Sequence, residues 1–235
     1  MGKPRVLLKI SGETLSGIGK YRYGKQPLNT IAAEISSVAN LVELAIVIGG
    51  GNIIRGAELK EEIGLKDSIV ADYAGMMATI INAIIFQEVL EEIGLEVRVM
   101  SALEVKSVAE PYIRRRAVRH LSKGRIVVLA GGTGNPDVST DSAMVLRGHE
   151  LGVDMILKGT KTDGVFDKDP LKFRDASFMA QISYQDFLNK GLKVVDWTAV
   201  ASAKKHSMPI AVFNIFEICN LKKVLNGERV GSRIV

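Results

Sequence analysis

At 235 residues, with 47% hydrophobic and 24% charged residues, the chain is long enough for one large globular domain or two small ones with a sizeable core. One cysteine, Cys219, excludes an internal disulfide, and with only three histidines a dedicated zinc site is not expected. The net charge of +5 helps attract a polyphosphate but is too mild to imply nucleic acid. No apolar run approaches a membrane span, and Met1 to Val6 lacks a signal-peptide pattern, so a cytoplasmic protein is expected.

In chain order, Arg5 to Ile10 reads as a strand with Lys9 near its carboxyl end and Ser11-Gly12-Glu13 directly after it. An ammonium group in an apolar strand needs a partner. Either Glu13 or another carboxylate neutralises it, or Lys9 points from the strand end to a phosphate held at the Gly12 turn. Ser16 through Pro27, rich in glycine and positive charge, reads as a loop or hairpin excursion. Ile31, Ile35, Val38 and Val42 then share one helical face, with Asn29 or Thr30 as the N-cap. That helix leads into Leu44 to Ile48, a short apolar run that empties into Gly49-Gly50-Gly51-Asn52. Strand, helix and strand make a βαβ unit, which sets the sheet parallel. The glycines either form a tight connection or bring backbone N–H groups close to an anion. Arg55, just beyond them, can fork onto phosphate oxygens.

Asp67 to Glu92 is helical by pattern and ends at Gly94, with Asp72 near its start, where a carboxylate favours the helix N-terminus. Its apolar residues cover more than one face. A helix of that kind must be covered, so the stretch from Met76 to Ile85 is the expected dimer surface. Glu96 to Met100 is a strand. Glu110 to Lys123 reads as a helix whose Arg114, Arg115, Arg116 and Arg119 lack interleaved aromatics, a solvated face rather than an RNA surface. Arg125 to Ala130 is a second apolar strand emptying into glycines, Gly131-Gly132-Thr133-Gly134-Asn135-Pro136, and two such loops in one sheet point to two anionic groups.

Ser139 or Thr140 caps a helix that runs to Leu151 and closes at Gly152. Asp141, in its first turn, either serves the helix alone, worth about 0.3–1 kcal/mol, or orders cations beside the phosphates. On both readings Asp141→Asn is expected to leave the melting temperature nearly unchanged. Met155 to Lys158 is a strand that again ends in lysine. Gly159 to Pro170 reads as a surface loop, acidic enough to bind Mg²⁺ or a nucleotide ribose. A capping-box-like Ser183-Tyr184-Gln185-Asp186, a helix from Asp196, a strand from Pro209 to Phe213 and a tail through Gly231 complete the chain.

Two common nucleotide signatures are absent. No Gly-Lys pair precedes Ser or Thr, and the glycines at 49–51 and 132–134 run into Ile53-Ile54 and Asn135-Pro136-Asp137 instead of a dinucleotide fingerprint. The lysine that a P-loop would supply must come from elsewhere.

Lys9-Ile10-Ser11-Gly12-Glu13, the stretch from Gly49 to Gly56, Gly132 to Pro136 with Thr140-Asp141, and Lys158 to Val165 together resemble the amino-acid-kinase superfamily. Ala71 to Thr79 and Glu110 to Ala117 resemble its bacterial uridylate kinases. The matching segments span essentially the whole chain, read as one domain over 1–235 with the acceptor on its N-terminal part. The resemblance implies an α/β fold, a three-layer αβα sandwich around a mainly parallel sheet. It implies transfer of the γ-phosphoryl group of MgATP to UMP by a homohexamer.

Carried over by motif, Lys9, Ile10, Ser11 and Gly12 contact the ATP phosphates, and Gly50, Gly51 and Arg55 lie where donor and acceptor phosphates meet. Asp72 holds the acceptor ribose. Thr133, Gly134, Asn135, Pro136, Asp137, Val138, Ser139 and Thr140 embrace UMP. Asp141 organises the catalytic Lys9 and Lys158 or Mg²⁺, while Thr160, Phe166 and Asp169 face the adenosine. No protein metal ligand is assigned. Two departures stand out: Asp137-Val138 occupies positions where most relatives carry two aromatics, and Gly17 to Pro27 differs from the stretch linked to GTP activation. Two alternatives remain, a superfamily kinase with a carboxylate or carbamate acceptor and a non-catalytic nucleotide- or RNA-binding regulator.

Overall fold

In the computed structural model, which describes residues 2–17 and 22–235, the first strand made is the middle of the sheet. Arg5–Ile10 (β1) lies between Glu43–Ile48 (β2) and Met155–Thr160 (β6), parallel to both. Beyond β2 come Ile126–Ala130 (β5), Val97–Ser101 (β3) and Glu110–Pro111 (β4). Beyond β6 come Ile210–Asn214 (β10), Ser232–Ile234 (β11) and Gln181–Ile182 (β9). Of these pairings only β10 with β11 is antiparallel. Val165–Phe166 (β7) and Phe178–Met179 (β8) form a separate antiparallel pair.

Side chains alternate across a strand, so β1 feeds two cores. Val6, Leu8 and Ile10 join the layer of Lys25–Val38 (α1), Ser68–Glu92 (α3) and Asn220–Leu225 (α8). Leu7 joins the opposite layer, built by Arg114–Ser122 (α4), Thr140–Leu151 (α5), Tyr184–Asn189 (α6) and Trp197–Lys205 (α7). Strands covered on both faces need apolar residues at every position, which explains the unbroken runs in the sequence. The αβα sandwich around a mainly parallel sheet is the expected one. Gly56–Ile63 (α2) follows the first glycine loop and contacts α3.

Several boundaries differ from the sequence reading. The N-cap of α1 is Gly24, not Asn29 or Thr30, and the helix starts at Lys25 inside the expected excursion. Pro27 sits in its first turn, where the missing N–H has no intrahelical partner to lose. Residues 18–21 of that excursion lie outside the described residues. The helix read over Glu110 to Lys123 begins at Arg114, because Glu110 precedes a proline, is held extended, and pairs through β4 with Met100. The tail contains α8 and β11, both too short to show a period. α3, at 25 residues, is long and apolar enough by length and composition to cross a membrane, against the expectation that no segment approaches this.

One tie closes the molecule on itself. Glu34 of α1, only 6% exposed, accepts the N–H groups of Cys219 at 2.7 Å and Leu221 at 3.1 Å, capping α8. The cap is a carboxylate far away in sequence, so no local motif announces it.

Candidate active site

The register of β1 and β6 places Lys9 directly beside Lys158, and paired neighbours on parallel strands point to the same face. Both ammonium groups are buried and would repel each other. Asp141, in the first turn of α5, settles this. Its Oδ2 accepts a hydrogen bond from Lys158, and its Oδ1 lies 2.7 Å from Lys9 Nζ. The N–H of Asp196, the N-cap of α7, adds a contact to Oδ2 at 3.2 Å. Lys9 therefore pairs with Asp141 and not with Glu13.

Burial raises the Asp141 carboxyl, but the two ammonium groups outweigh it and hold the acid well below the ordinary carboxylate range. Lys158 moves the other way. Burial, then the like charge of Lys9, lower it to about 8 despite the opposing pull of Asp141. Asp141 is thus part of a buried ion triad, not merely a helix-terminal charge. Asp141→Asn would strand two buried cations, so the expectation of an unchanged melting temperature is revised.

The glycine loops leave the carboxyl ends of β2 and β5, the edge where open α/β sheets bind ligands. Gly12 shows why the first loop needs glycine: a Cβ there would stand 2.8 Å from Gly51 N and 2.9 Å from Gly49 O. Gly49 N–H donates to Ile10 O at 2.8 Å, so the turn after β1 and the loop after β2 form one continuous bed. Gly50 packs against α3, where a Cβ would meet Gly75 O at 2.8 Å. Arg55 is the N-cap residue of α2, and its exposed guanidinium is held by Glu13 and, at 2.8 Å, by Glu58.

Two cavities contain residues expected to hold the two nucleotides. One of about 220 Å³ is lined by Gly50, Asp72, Asn135, Val138, Ser139 and Thr140 among others, six of the positions expected around the acceptor. Asp72 Oδ2 accepts the Asp137 N–H at 2.9 Å, tying α3 to the second loop where Asp137 has a φ of 60°. Ser139 is the N-cap of α5 and accepts from Ser142 N–H at 3.1 Å, leaving Thr140 as the first helical residue. Thr133, Gly134, Pro136 and Asp137 belong to the loop but do not line the cavity.

The other cavity, about 490 Å³, is lined by Phe166, Asp169, Thr162, Phe173 and Gly191 among others. Thr160 stands behind it, its hydroxyl donating to Thr162 O at 2.7 Å. Among the described residues no group of three or more His, Cys, Asp or Glu side chains is placed to hold a metal ion.

Sequence reading missed the supports behind the loops. Thr79 and Asn82, both fully buried, reach from α3 to the two glycine loops. Arg147, 7% exposed, donates to Glu150 at 2.8 Å and to the carbonyls of Gly132 and Thr133, with its guanidinium 4.0 Å from the Tyr112 ring centroid. The available signal was a polar residue inside an apolar run, Asn82 between Ile81 and Ala83.

Comparison with known proteins fits this geometry. The amino acid kinase family profile matches residues 4–214. The uridylate kinase of Wolinella succinogenes is 50% identical over 227 residues, covering 96% of this chain and 94% of that protein. The uridylate kinase of Helicobacter hepaticus is 53% identical over 226 residues, covering 96% and 95%. The solved UMP kinase of Bacillus anthracis superposes with a TM-score of 0.93 at 40% identity, over 99% of this chain and 96% of that one.

Proposed function

Since the chain belongs to the amino acid kinase family and, within it, to the uridylate kinases, we propose that it transfers the γ-phosphoryl group of ATP to UMP, giving UDP. The observation that carries this for the residues present is the Lys9–Asp141–Lys158 triad at the carboxyl ends of β1 and β6, beside two glycine loops. Phosphoryl transfer passes through a loose transition state with charge on the equatorial oxygens, so the protein needs fixed cations and positioning, not a nucleophile. Lys9 and Lys158 supply the cations, and Asp141 holds both in place.

UMP occupies the smaller cavity, with its ribose at Asp72 and its phosphate toward Gly50, Gly51 and Arg55. The adenosine of ATP lies in the larger cavity against Phe166 and Asp169, with its phosphates over Ser11 and Gly12. Arg55 exchanges Glu13 and Glu58 for phosphate oxygens when substrates arrive. Mg²⁺ carried in with ATP would supply positive charge against the phosphates. The donor set suits a metal that arrives on the nucleotide, because Asp141 is already engaged by two lysines.

The chain works as one domain, 1–235, in the cytoplasm and as a homohexamer. Subunits meet through the outer stripe of α3, where Val70, Tyr73, Met77 and Ile81 are 42–52% exposed. A coupled assay with ATP and a panel of nucleoside monophosphates tests the reaction. UMP should be the preferred acceptor by at least tenfold in kcat/KM; turnover of none of them, or of a carboxylate acceptor instead, overturns the reading.

A further inference from the structure

Two polar side chains on one turn of α3 each hold one of the two glycine loops. Thr79 Oγ1 accepts the Gly131 N–H at 2.8 Å and donates to Met76 O at 2.7 Å. Three residues on, Asn82 Nδ2 donates to Gly49 O at 2.6 Å. Its amide also pairs reciprocally with that of Asn52, at 2.7 and 3.2 Å, and accepts the Tyr23 hydroxyl at 2.8 Å. Thr79 and Asn82 are 2% and 0% exposed. Residues three apart share a helical face, so these two grips are rigidly spaced.

The loops they hold leave neighbouring strands, since β2 pairs with β5. Thr79 also lines the smaller cavity, but the loop groups that the two grips engage, Gly131 N–H and Gly49 O, are turned to α3. We infer that Thr79 and Asn82 are positioning residues that set the distance between the two phosphate loops, and hence the in-line approach of acceptor oxygen to γ-phosphorus. The inference rests on the proposed kinase reaction. Each loop keeps its own ligand-binding backbone without the helix grip, but the spacing between the loops is lost if either grip goes. Misplacement on the order of 1 Å is enough to cost about 10² in rate.

The test uses Thr79→Val, which is nearly isosteric and lacks the acceptor, Thr79→Ser, which keeps it, Asn82→Leu, and the Thr79→Val/Asn82→Leu pair. Thr79→Val should lower kcat about tenfold to a hundredfold, with the calorimetric Kd values for ATP alone and UMP alone within about threefold of wild type. Thr79→Ser should restore kcat. The double variant should be no slower than the slower single, because a lost spacing is lost once. Unchanged kcat with only a lower Tm, a binary Kd that rises in step with the fall in kcat, or additive losses would each overturn the inference. Thr79→Val and Thr79→Ser decide it even where Asn82→Leu does not fold. Rates are read as ratios to wild type with whichever nucleoside monophosphate the wild type phosphorylates, so a wrong acceptor assignment appears in the wild type and not in the ratio.

Discussion

Asp141 receives Lys158 on one carboxylate oxygen and Lys9 on the other, so a single buried anion sits between the two cations that the β1–β6 register forces together. Removing one member of such a group while leaving its partners buried costs about 3–5 kcal/mol. Asp141→Asn should therefore lower the Tm by roughly 6–20 °C at neutral pH and reduce turnover by about 10²–10³. Calorimetry and saturation kinetics on the one variant check both parts; a melt within 2 °C of wild type, an allowance of about 1 kcal/mol, would show that the triad is not held by this carboxylate.

Lys9→Met tests the division of labour within the triad. Charge on the transferring group grows mainly on the way to the transition state, so kcat should fall by about 10² or more while the Kd for UMP moves less than threefold. Equilibrium binding of UMP and single-turnover rates separate the two. If UMP affinity collapses and turnover at saturation survives, Lys9 is a binding group.

Lys158 makes stability and activity respond to pH in opposite directions. Its folded value of about 8 lies below the ordinary 10.5, so between these values the unfolded chain holds a proton that the folded protein has released. Stability should therefore rise with pH through this window, by the linkage relation. Over the same range kcat/KM should fall, because the cation it needs is being titrated. Thermal melts and kinetics from pH 7 to 10 show whether the two curves cross.

Asp72 connects α3 to the Asp137 backbone. Asp72→Asn weakens that acceptor and, if Asp72 holds the ribose as proposed, should raise KM for UMP about tenfold, near the cost of one charge-assisted hydrogen bond. Discrimination against 2′-deoxy-UMP should shrink in parallel. An unchanged ribose preference removes Asp72 from the acceptor site.

Glu34→Ala separates stability from catalysis. It leaves two backbone N–H groups at the start of α8 without acceptors, a loss of about 2–4 kcal/mol. Urea melts should register that loss, while kcat and both KM values at 25 °C stay within twofold. A kinetic defect in folded protein would mean that α8 reaches the site.

The sheet and both glycine loops were legible because each rests on a local pattern: a short apolar strand followed by residues that free the backbone. Lys9 and Lys158 were legible as charges at strand ends and Asp141 as the anion expected to order them, but the direct ion pairs among the three were not. Pairing across 17 residues for Lys158 is a matter of register and helix placement, and no spacing in the chain encodes it. Short elements such as α8, β9 and β11 escaped for lack of a period. Glu110 was misread because arginine-rich helical propensity spoke louder than the proline beside it. Thr79 and Asn82 were absorbed into an apolar helix, where two buried polar residues change little in the pattern but decide what the inner face can hold.

The position of β1 at the centre of the sheet has a consequence for synthesis on the ribosome. β2 can join β1 as soon as α1 has crossed over, but the other edge stays open until β6 emerges, and β10 cannot be flanked until β11 follows. Through that interval Lys9 sits on a half-paired strand. Asp141 precedes Lys158 in the chain, so the order of synthesis supplies the anion before the second of the two cations that it holds in the folded protein.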